Sequence, residues 1–220
     1  MNKVITSEQT AEFLYNGMVV MIGGFLDVGS PEMMILAMID RNVRDVTLIA
    51  NDTAYADKGI GRLIANRQVK KAIVSHIGTN PETGRQMMDN DLDVELVPQG
   101  TLAERIRCGG AGLGGVLTRT GIGTVVETGK QKMLVGGQEY LLETPLRASV
   151  ALIRAKKADK AGNLIYEKAA RNFNPLMAAA ADLVIAEVDE LVETGVIDAD
   201  EVMTPGILVD KILYRGGAFL

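Results

Sequence analysis

The stretch Met18-Val-Val-Met-Ile-Gly-Gly-Phe-Leu-Asp-Val-Gly-Ser-Pro31 constrains the fold more than any other part of this 220-residue chain. An unbroken apolar run stops at two glycines, and a Ser-Pro pair then introduces a helical pattern. This order predicts a buried strand, a tight turn and a helix start, with Ser30 as N-cap and Pro31 at the first helical position. Glycine removes the Cβ that would hold a ligand off the main chain. The helix start adds unpaired N–H groups and partial positive charge, which suit an anion. From the turn alone two readings stay open, an ordinary strand-to-helix connection and a ligand site.

Related units follow. Thr6 or Ser7 caps a first helix through Tyr15, which Asn16-Gly17 ends. Val46–Ala50 is a second buried strand, closing on the polar cluster Asn51-Asp52-Thr53, and a short helix covers Ile60 to Asn66. Lys71–Ser75 is the third strand, and Asn80 to Gly84 is a turn leading into a polar helix near Arg85–Asn90. Val94–Pro98 is the fourth strand, and Thr101–Cys108 is helical. Strands alternating with helices at this spacing predict an α/β domain spanning 1–220, with a mostly parallel sheet and helices on both faces. Ligands sit at the C-terminal ends of such strands. Gly23-Gly24, Asn51 and Gln99 all fall at such ends, so one crevice is expected to collect them.

After Cys108 the pattern changes. Gly109–Gly129 is dense in glycine and holds two charged residues, Arg119 and Glu127, so it is too apolar for a disordered linker and too glycine-rich for a regular element. Antiparallel hairpins then appear. Lys132–Val135 and Glu139–Glu143 flank Gly136-Gly137, and Val150–Lys156 and Leu164–Glu167 flank Ala161-Gly162-Asn163. A helix covers Met177–Ala181, Leu183–Val188 is a buried strand, and Glu190–Asp200 is an acidic, exposed stretch. The five methionines between positions 18 and 38 are expected to be flexible core filling.

Composition removes several classes of function. Net charge is −5 with no basic block, which argues against a protein that binds nucleic-acid phosphates. The first ten residues lack the apolar core of a signal peptide, and the longest apolar run, Met18–Leu26, is 9 residues. A membrane span needs roughly 20. One cysteine, Cys108, cannot form an internal disulfide, so a cytoplasmic protein is expected. His76 is the single histidine, and with one cysteine a His/Cys metal site is not expected.

The motifs that could carry chemistry are each ambiguous in isolation. Gly110-Ala-Gly112-Leu-Gly-Gly115 formally matches a dinucleotide fingerprint, but a helix precedes it and an extended segment follows, the reverse of what that motif requires. His76 lies at a strand end, where a hydrogen-bonding role is expected. Cys108 sits beside Arg105 and Arg107, which favours a thiolate, yet a structural role is the better account. Glu82, Glu127 and Glu193 each open a Glu-Thr-Gly tripeptide, the composition of a solvated turn. The residues alone thus describe a ligand crevice without a convincing nucleophile.

Several spaced motifs, taken together, are more specific. Asn16-Gly17-x-x-Val20-Met-Ile-Gly23-Gly24-Phe25-x-x-x-Gly29-x-Pro31 resembles the signature of family I coenzyme A transferases. Pro98-Gln-Gly-Thr-Leu-Ala-Glu-Arg-Ile-Arg107, Gly109-Gly-Ala-Gly112, Asp159-Lys-Ala-Gly-Asn163 and Ala170-Arg-Asn-Phe-Asn174 follow in the same order as in that family, over about residues 4–214. The resemblance is to α subunits of the acetate/acetoacetate/butyrate type. It implies an α–β hetero-oligomer, a heterotetramer, that moves CoA between an acyl-CoA and a short-chain carboxylate. It also implies a nucleophilic glutamate in a Ser-Glu-Asn-Gly motif of the β subunit, a motif absent here. CoA is then a substrate and no permanently bound cofactor is expected. By the same resemblance Gln99 contributes to the oxyanion pocket, Asn51 lies near the reacting carboxylates, and Gly23, Gly24, Phe25, Leu26, Asp27, Val28 and Gly29 form the segment associated with CoA. Gly109, Gly110 and Gly112 would form an apolar wall or a subunit interface. Two other functions share this pattern: a stand-alone sugar-phosphate isomerase-like enzyme, and a nonenzymatic acyl-CoA or organic-acid binding protein.

Overall fold

Alternate residues of the apolar strands feed two different cores, which is why those strands read as unbroken apolar runs. In β2 (Val19–Ile22), Val20 and Ile22 pack into one core and Met21 into the other. In β3 (Val46–Ile49), Leu48 and Ile49 divide the same way. Such strands need a sheet covered on both faces. The computed structural model, which describes residues 2–216, has that sheet.

Its order is β1 (Val4–Ile5), β12 (Lys211–Tyr214), β11 (Ala181–Val192), β9 (Ala148–Asp159), β2, β3, β4 (Val69–Val74) and β5 (Asp93–Leu96), parallel throughout. β10 (Leu164–Ile165) pairs antiparallel with β9. Helices α1 (Glu32–Asp40) and α2 (Gly61–Ala65) cover one face, bringing Met34, Ile35, Met38, Leu63 and Ile64. α3 (Pro81–Met88) lies beside α2, with Gln86 Nε2 donating to the Ile64 carbonyl at 2.8 Å. Helices α4 (Gln99–Gly110) and α5 (Asn174–Ala179) cover the other face with Leu102, Ile106 and Met177. From β2 the chain steps outward to β5, and from β9 it steps the opposite way through β11 to β12. The order therefore reverses between β2 and β9, the place where α/β sheets bind ligands.

The mostly parallel sheet flanked by helices, and the antiparallel hairpins of the second half, match the expected class. β6 (Val116–Thr118), β7 (Lys132–Val135) and β8 (Gln138–Glu143) form a separate antiparallel sheet in the order β6-β8-β7. Gly136 and Gly137 join β7 to β8 with φ of +58° and +77°, the signs a type I′ turn demands. Arg105, buried on α4, ties this sheet to the body. Its Nη1 donates to Glu95 at 2.6 Å and its Nε to the Thr144 carbonyl at 2.8 Å. Cys108 is buried on the same helix.

Several boundaries differ for identifiable reasons. The first helix is a 3-10 turn, Glu8–Phe13, in which Thr6 and Gln9 exchange hydrogen bonds (2.9 and 3.4 Å) as a capping box. α3 begins at Pro81, because Asn80 caps it by accepting the Glu82 N–H at 3.2 Å; the expected turn over 80–84 is the helix start itself. α4 absorbs Gly109 and Gly110, and β11 runs on through Glu190 to Val192. α5 starts at Asn174 and not Met177.

α1 shows the largest departure. It begins at Glu32, and the Ser30 hydroxyl donates to the Leu26 carbonyl at 3.3 Å instead of capping the helix. The cap comes from β11. Glu187 Oε2 accepts the N–H groups of Met33 and Met34 at 2.8 and 3.3 Å, and Arg215 Nε lies 3.5 Å from the other oxygen. Burial pushes this carboxyl up to about 7, against the opposing pull of the helix N–H groups and Arg215. The folded chain thus holds a proton that an unfolded chain, with the ordinary carboxyl value of 4.5, releases. The resulting stabilisation is complete below pH 4.5 and is lost as pH rises through 7. Glu187→Gln is expected to abolish this loss, worth about 3 kcal/mol. Denaturant unfolding should find the variant more stable than the parent at about pH 8 and little changed at about pH 5.

No helix of the described residues is long and apolar enough to cross a membrane.

Candidate functional site

The turn after β2 is held from below. Gly23 N–H donates to the Leu152 carbonyl of β9 at 2.9 Å, and Phe25 and Val28 exchange backbone hydrogen bonds of 3.0 Å around Leu26-Asp27. Leu26 takes a φ of +55°, a left-handed conformation that costs energy at a residue with a Cβ. The turn is fixed by a partner just past the end of the next strand, since Leu26 N–H donates to Asp52 Oδ2 at 2.8 Å.

The glycines of this turn have an internal reason. A Cβ at Gly23 would stand 1.8 Å from Asn174 Oδ1, and one at Gly29 would stand 2.8 Å from the Ala170 carbonyl. Asn174 is fully buried, accepts the Arg154 N–H at 3.0 Å, and donates to the carbonyls of Gly29 and Ala170 at 3.1 and 2.9 Å. The segment Ala170–Asn174 is therefore the floor of the glycine turn. The space left by the missing side chains is filled by the protein's own amide and carbonyl groups.

At the ends of β3, β4 and β5, Asn51, Asp52, Ser75, His76, Thr79 and Gln99 join Phe25 and Leu26 around a crevice of about 370 Å³. Gln99 is the first residue of α4, so the end of β5 and the helix start set its position. Gln99 Nε2 donates to Asn51 Oδ1 at 2.8 Å, and Asn51 Nδ2 donates to Asp52 Oδ2 at 2.7 Å. Asp52 also accepts the Ala54 N–H at 2.7 Å. A carboxylate only accepts, so Asp52 turns the Asn51 nitrogen toward itself and leaves the Asn51 oxygen for Gln99. Gln99 keeps one amide hydrogen free of the Asn51 bond. A buried acid thus orders a chain of two amides that ends in a donor at the crevice.

The sequence-predicted residues separate into groups. Phe25, Leu26, Asn51 and Gln99 come together in the crevice. Gly23 and Gly24 lie beneath it in the turn. Asp27, Val28 and Gly29 line a different hollow of about 200 Å³ with Arg154, Lys156, Glu167 and Asp189. Gly109 and Gly110 sit in the last turn of α4, about 15 Å along the helix from Gln99. There a Cβ at Gly109 would meet the Leu146 carbonyl at 1.9 Å, whereas Gly112 has open space around it. Glu82, Glu127 and Glu193 are away from the crevice. They bond to Arg85 (2.6 Å), Gly123 N–H (2.7 Å) and Lys160 (2.5 Å), and the Arg85 and Gln86 bonds hold the Glu82 carboxyl down near 2.

Asp52, Ser75, His76 and Thr79 were not among the predicted site residues. Their signal was the same one that found Asn51: polar side chains directly after an apolar strand, at the edge of a parallel sheet. Contrary to expectation, the His76 ring makes no hydrogen bond to a described residue. Among the described residues no group of three or more His, Cys, Asp or Glu side chains is placed to hold a metal ion.

Comparison with known proteins identifies the family. Residues 4–214 match the family model described as coenzyme A transferase. The acetate CoA-transferase subunit alpha of Escherichia coli K12 is 57% identical over 211 residues, covering 96% of either chain. The acetoacetyl-CoA:acetate/butyrate CoA transferase alpha subunit of Clostridium acetobutylicum is 51% identical, covering 96% of this chain and 97% of that one. Among solved structures, glutaconate coenzyme A-transferase from Acidaminococcus fermentans superposes with a TM-score of 0.83 at 18% identity, over 96% of this chain and 75% of that one. An acyl-CoA transferase from E. coli O157:H7 gives 0.87 at 20% identity, covering 98% of this chain and 47% of that longer one. These two likenesses speak to the fold, and the family model and the sequence relatives go further: the chain belongs to the coenzyme A transferase family.

Proposed function

We propose that the chain is the α subunit of a short-chain acyl-CoA:carboxylate CoA-transferase of the acetate, butyrate and acetoacetate type, and that its crevice is half of an active site completed by a β subunit. The observation that carries this reading is the Asp52–Asn51–Gln99 chain. It presents an ordered amide donor in a crevice whose lining contains no glutamate. Ser75 is an unsuited nucleophile, since its hydroxyl donates to the Asn51 carbonyl at 2.7 Å. The names of the two sequence relatives, both alpha subunits, support a partner that brings the missing group.

In the proposed reaction a β-subunit glutamate in a Ser-Glu-Asn-Gly motif attacks the thioester carbonyl. The C–S bond breaks, leaving an acyl-glutamyl anhydride and CoA thiolate. The thiolate attacks the glutamyl carbonyl, releasing the first carboxylate and forming a glutamyl-CoA thioester. An acceptor carboxylate then attacks that thioester, and the two steps run in reverse to give the new acyl-CoA. Each tetrahedral intermediate places charge on an oxygen, and the Gln99 N–H is the donor this chain supplies. Phe25 and Leu26 contribute apolar surface that keeps water from the thioester and the anhydride. CoA is a substrate here and no bound cofactor takes part. The assembly is an α–β hetero-oligomer, a heterotetramer, working in the cytoplasm.

Co-expression with the β subunit tests the reading. CoA transfer to acetate, butyrate or acetoacetate is expected from the complex and not from this chain alone. Transfer by the purified chain alone would overturn it, as would full activity of a complex whose β-subunit glutamate is replaced by alanine.

A further inference from the structure

We propose that His76 is a substrate-contacting residue of the crevice, its imidazole donating a hydrogen bond to the carboxylate of the free acid. The inference rests on the crevice being the transfer site. It follows from an inventory of the polar groups that line it. The Ser75 hydroxyl is given to the Asn51 carbonyl, and the Thr79 hydroxyl to the Ala54 carbonyl at 2.8 Å. Asp52 only accepts, and Asn51 is tied between Asp52 and Gln99. Gln99 has one hydrogen left, which serves the oxyanion. His76 remains, with both ring nitrogens free of bonds to described residues. Among the described residues no Lys or Arg lines the crevice.

The ring is exposed, but the backbone that carries it is fixed. His76 pairs with Asp52 in a parallel bridge, which fixes its backbone at the strand ends. A Cβ at Gly78 would stand 3.0 Å from the ring's Cε1 and 3.3 Å from its Nε2. Gly78 does not have the positive φ that requires glycine, and a side chain there would crowd the imidazole. A planar ring with unpartnered nitrogens thus stands in the same crevice as the apolar side chains of Phe25 and Leu26. An aliphatic carboxylate has matching chemistry, with an anionic head for the imidazole and an alkyl tail for the apolar side chains.

The test uses the co-expressed α–β complex. In His76→Phe the ring shape stays and the donor goes, and in His76→Gln a donor returns. With butyryl-CoA as donor, kcat/KM for acetate is expected to fall about tenfold or more in His76→Phe and to recover most of that loss in His76→Gln. The value for butyryl-CoA should change far less. Isotope-labelled histidine gives a second readout, the His76 signal being the one absent from the His76→Gln complex, and acetate should shift it. An unmoved signal in a sample that transfers CoA to acetate overturns the proposal. So does a His76→Phe complex with the parent's acetate kcat/KM, or one in which both substrates lose alike. If the parent complex transfers CoA to no acid, the proposed function fails first and this assignment falls with it.

Discussion

Replacing Gln99 with alanine is expected to lower turnover of the α–β complex about a hundredfold, which is what losing one oxyanion donor usually costs. Folding should be nearly untouched. Gln99 is exposed, sits at the first position of α4, and alanine is at least as good a helix former there. Asn51 Oδ1 then faces the crevice that the shortened side chain opens, with the Ser75 hydroxyl 3.2 Å away but given to the Asn51 carbonyl. The loss should appear in kcat with KM for acyl-CoA little changed, because the donor acts on charge that develops only after attack. Gln99→Glu should be worse, placing a negative charge where the oxyanion forms. Steady-state kinetics on complexes that co-purify at the parent's stoichiometry would decide it. Turnover near the parent's would remove Gln99 from the site.

How far the sequence revealed this site depends on the range of the forces involved. β2, β3 and the β7–β8 hairpin were legible because local rules set them: apolar runs bounded by polar clusters, and a Gly-Gly pair that fits one turn type. The clustering of Asn51 and Gln99 was legible because parallel strands bring their C-terminal ends to one edge, although Gly23-Gly24, expected with them, do not line the crevice. The cap of α1 was not. Ser30-Pro31 is a good local start, but a carboxylate from β11, 154 positions along the chain from Met33, outcompeted it. Nothing near residue 30 signals that Glu187 will arrive. An internal reason for the glycines was hidden for the same cause. Gly23 and Gly29 look like openings for a ligand until Asn174 and Ala170 are seen occupying the space, and those residues are brought there only by the pairing of β9 with β2. Asp52 fell between these cases, visible as a polar residue at a strand end but not as the acid that orders its neighbours.

That ordering role makes Asp52 the site of the largest expected stability effect. The side chain is buried, and its two oxygens accept from Leu26 N–H, Ala54 N–H and Asn51 Nδ2, all within 2.8 Å. Alanine would strand three donors away from water, and even allowing for relaxation the loss should be about 4 kcal/mol. Such a variant tests stability but not function, since a chain so weakened need not assemble. Asp52→Asn separates the two. It preserves shape and one acceptor oxygen, but its amide nitrogen must face either Ala54 N–H or the pair formed by Leu26 N–H and Asn51 Nδ2. If it faces Ala54, the cost stays at the backbone and the crevice keeps its order. If it faces the pair, donor meets donor. Asn51 then gains by turning its oxygen toward residue 52, and its nitrogen meets Gln99, whose amide turns to accept it and so withdraws the donor from the crevice. Leu26 loses the bond that holds its left-handed φ. Each outcome strands one backbone N–H, and the second is expected because Leu26 is partly exposed whereas Ala54 is fully buried. Asp52→Asn should therefore fold with a loss of about 2 kcal/mol, assemble, and turn over about tenfold more slowly. Combining it with Gln99→Ala should cost little beyond Gln99→Ala alone, because the acid acts on turnover through that amide. Multiplicative losses in the double variant would show that Asp52 acts on the reaction by another route.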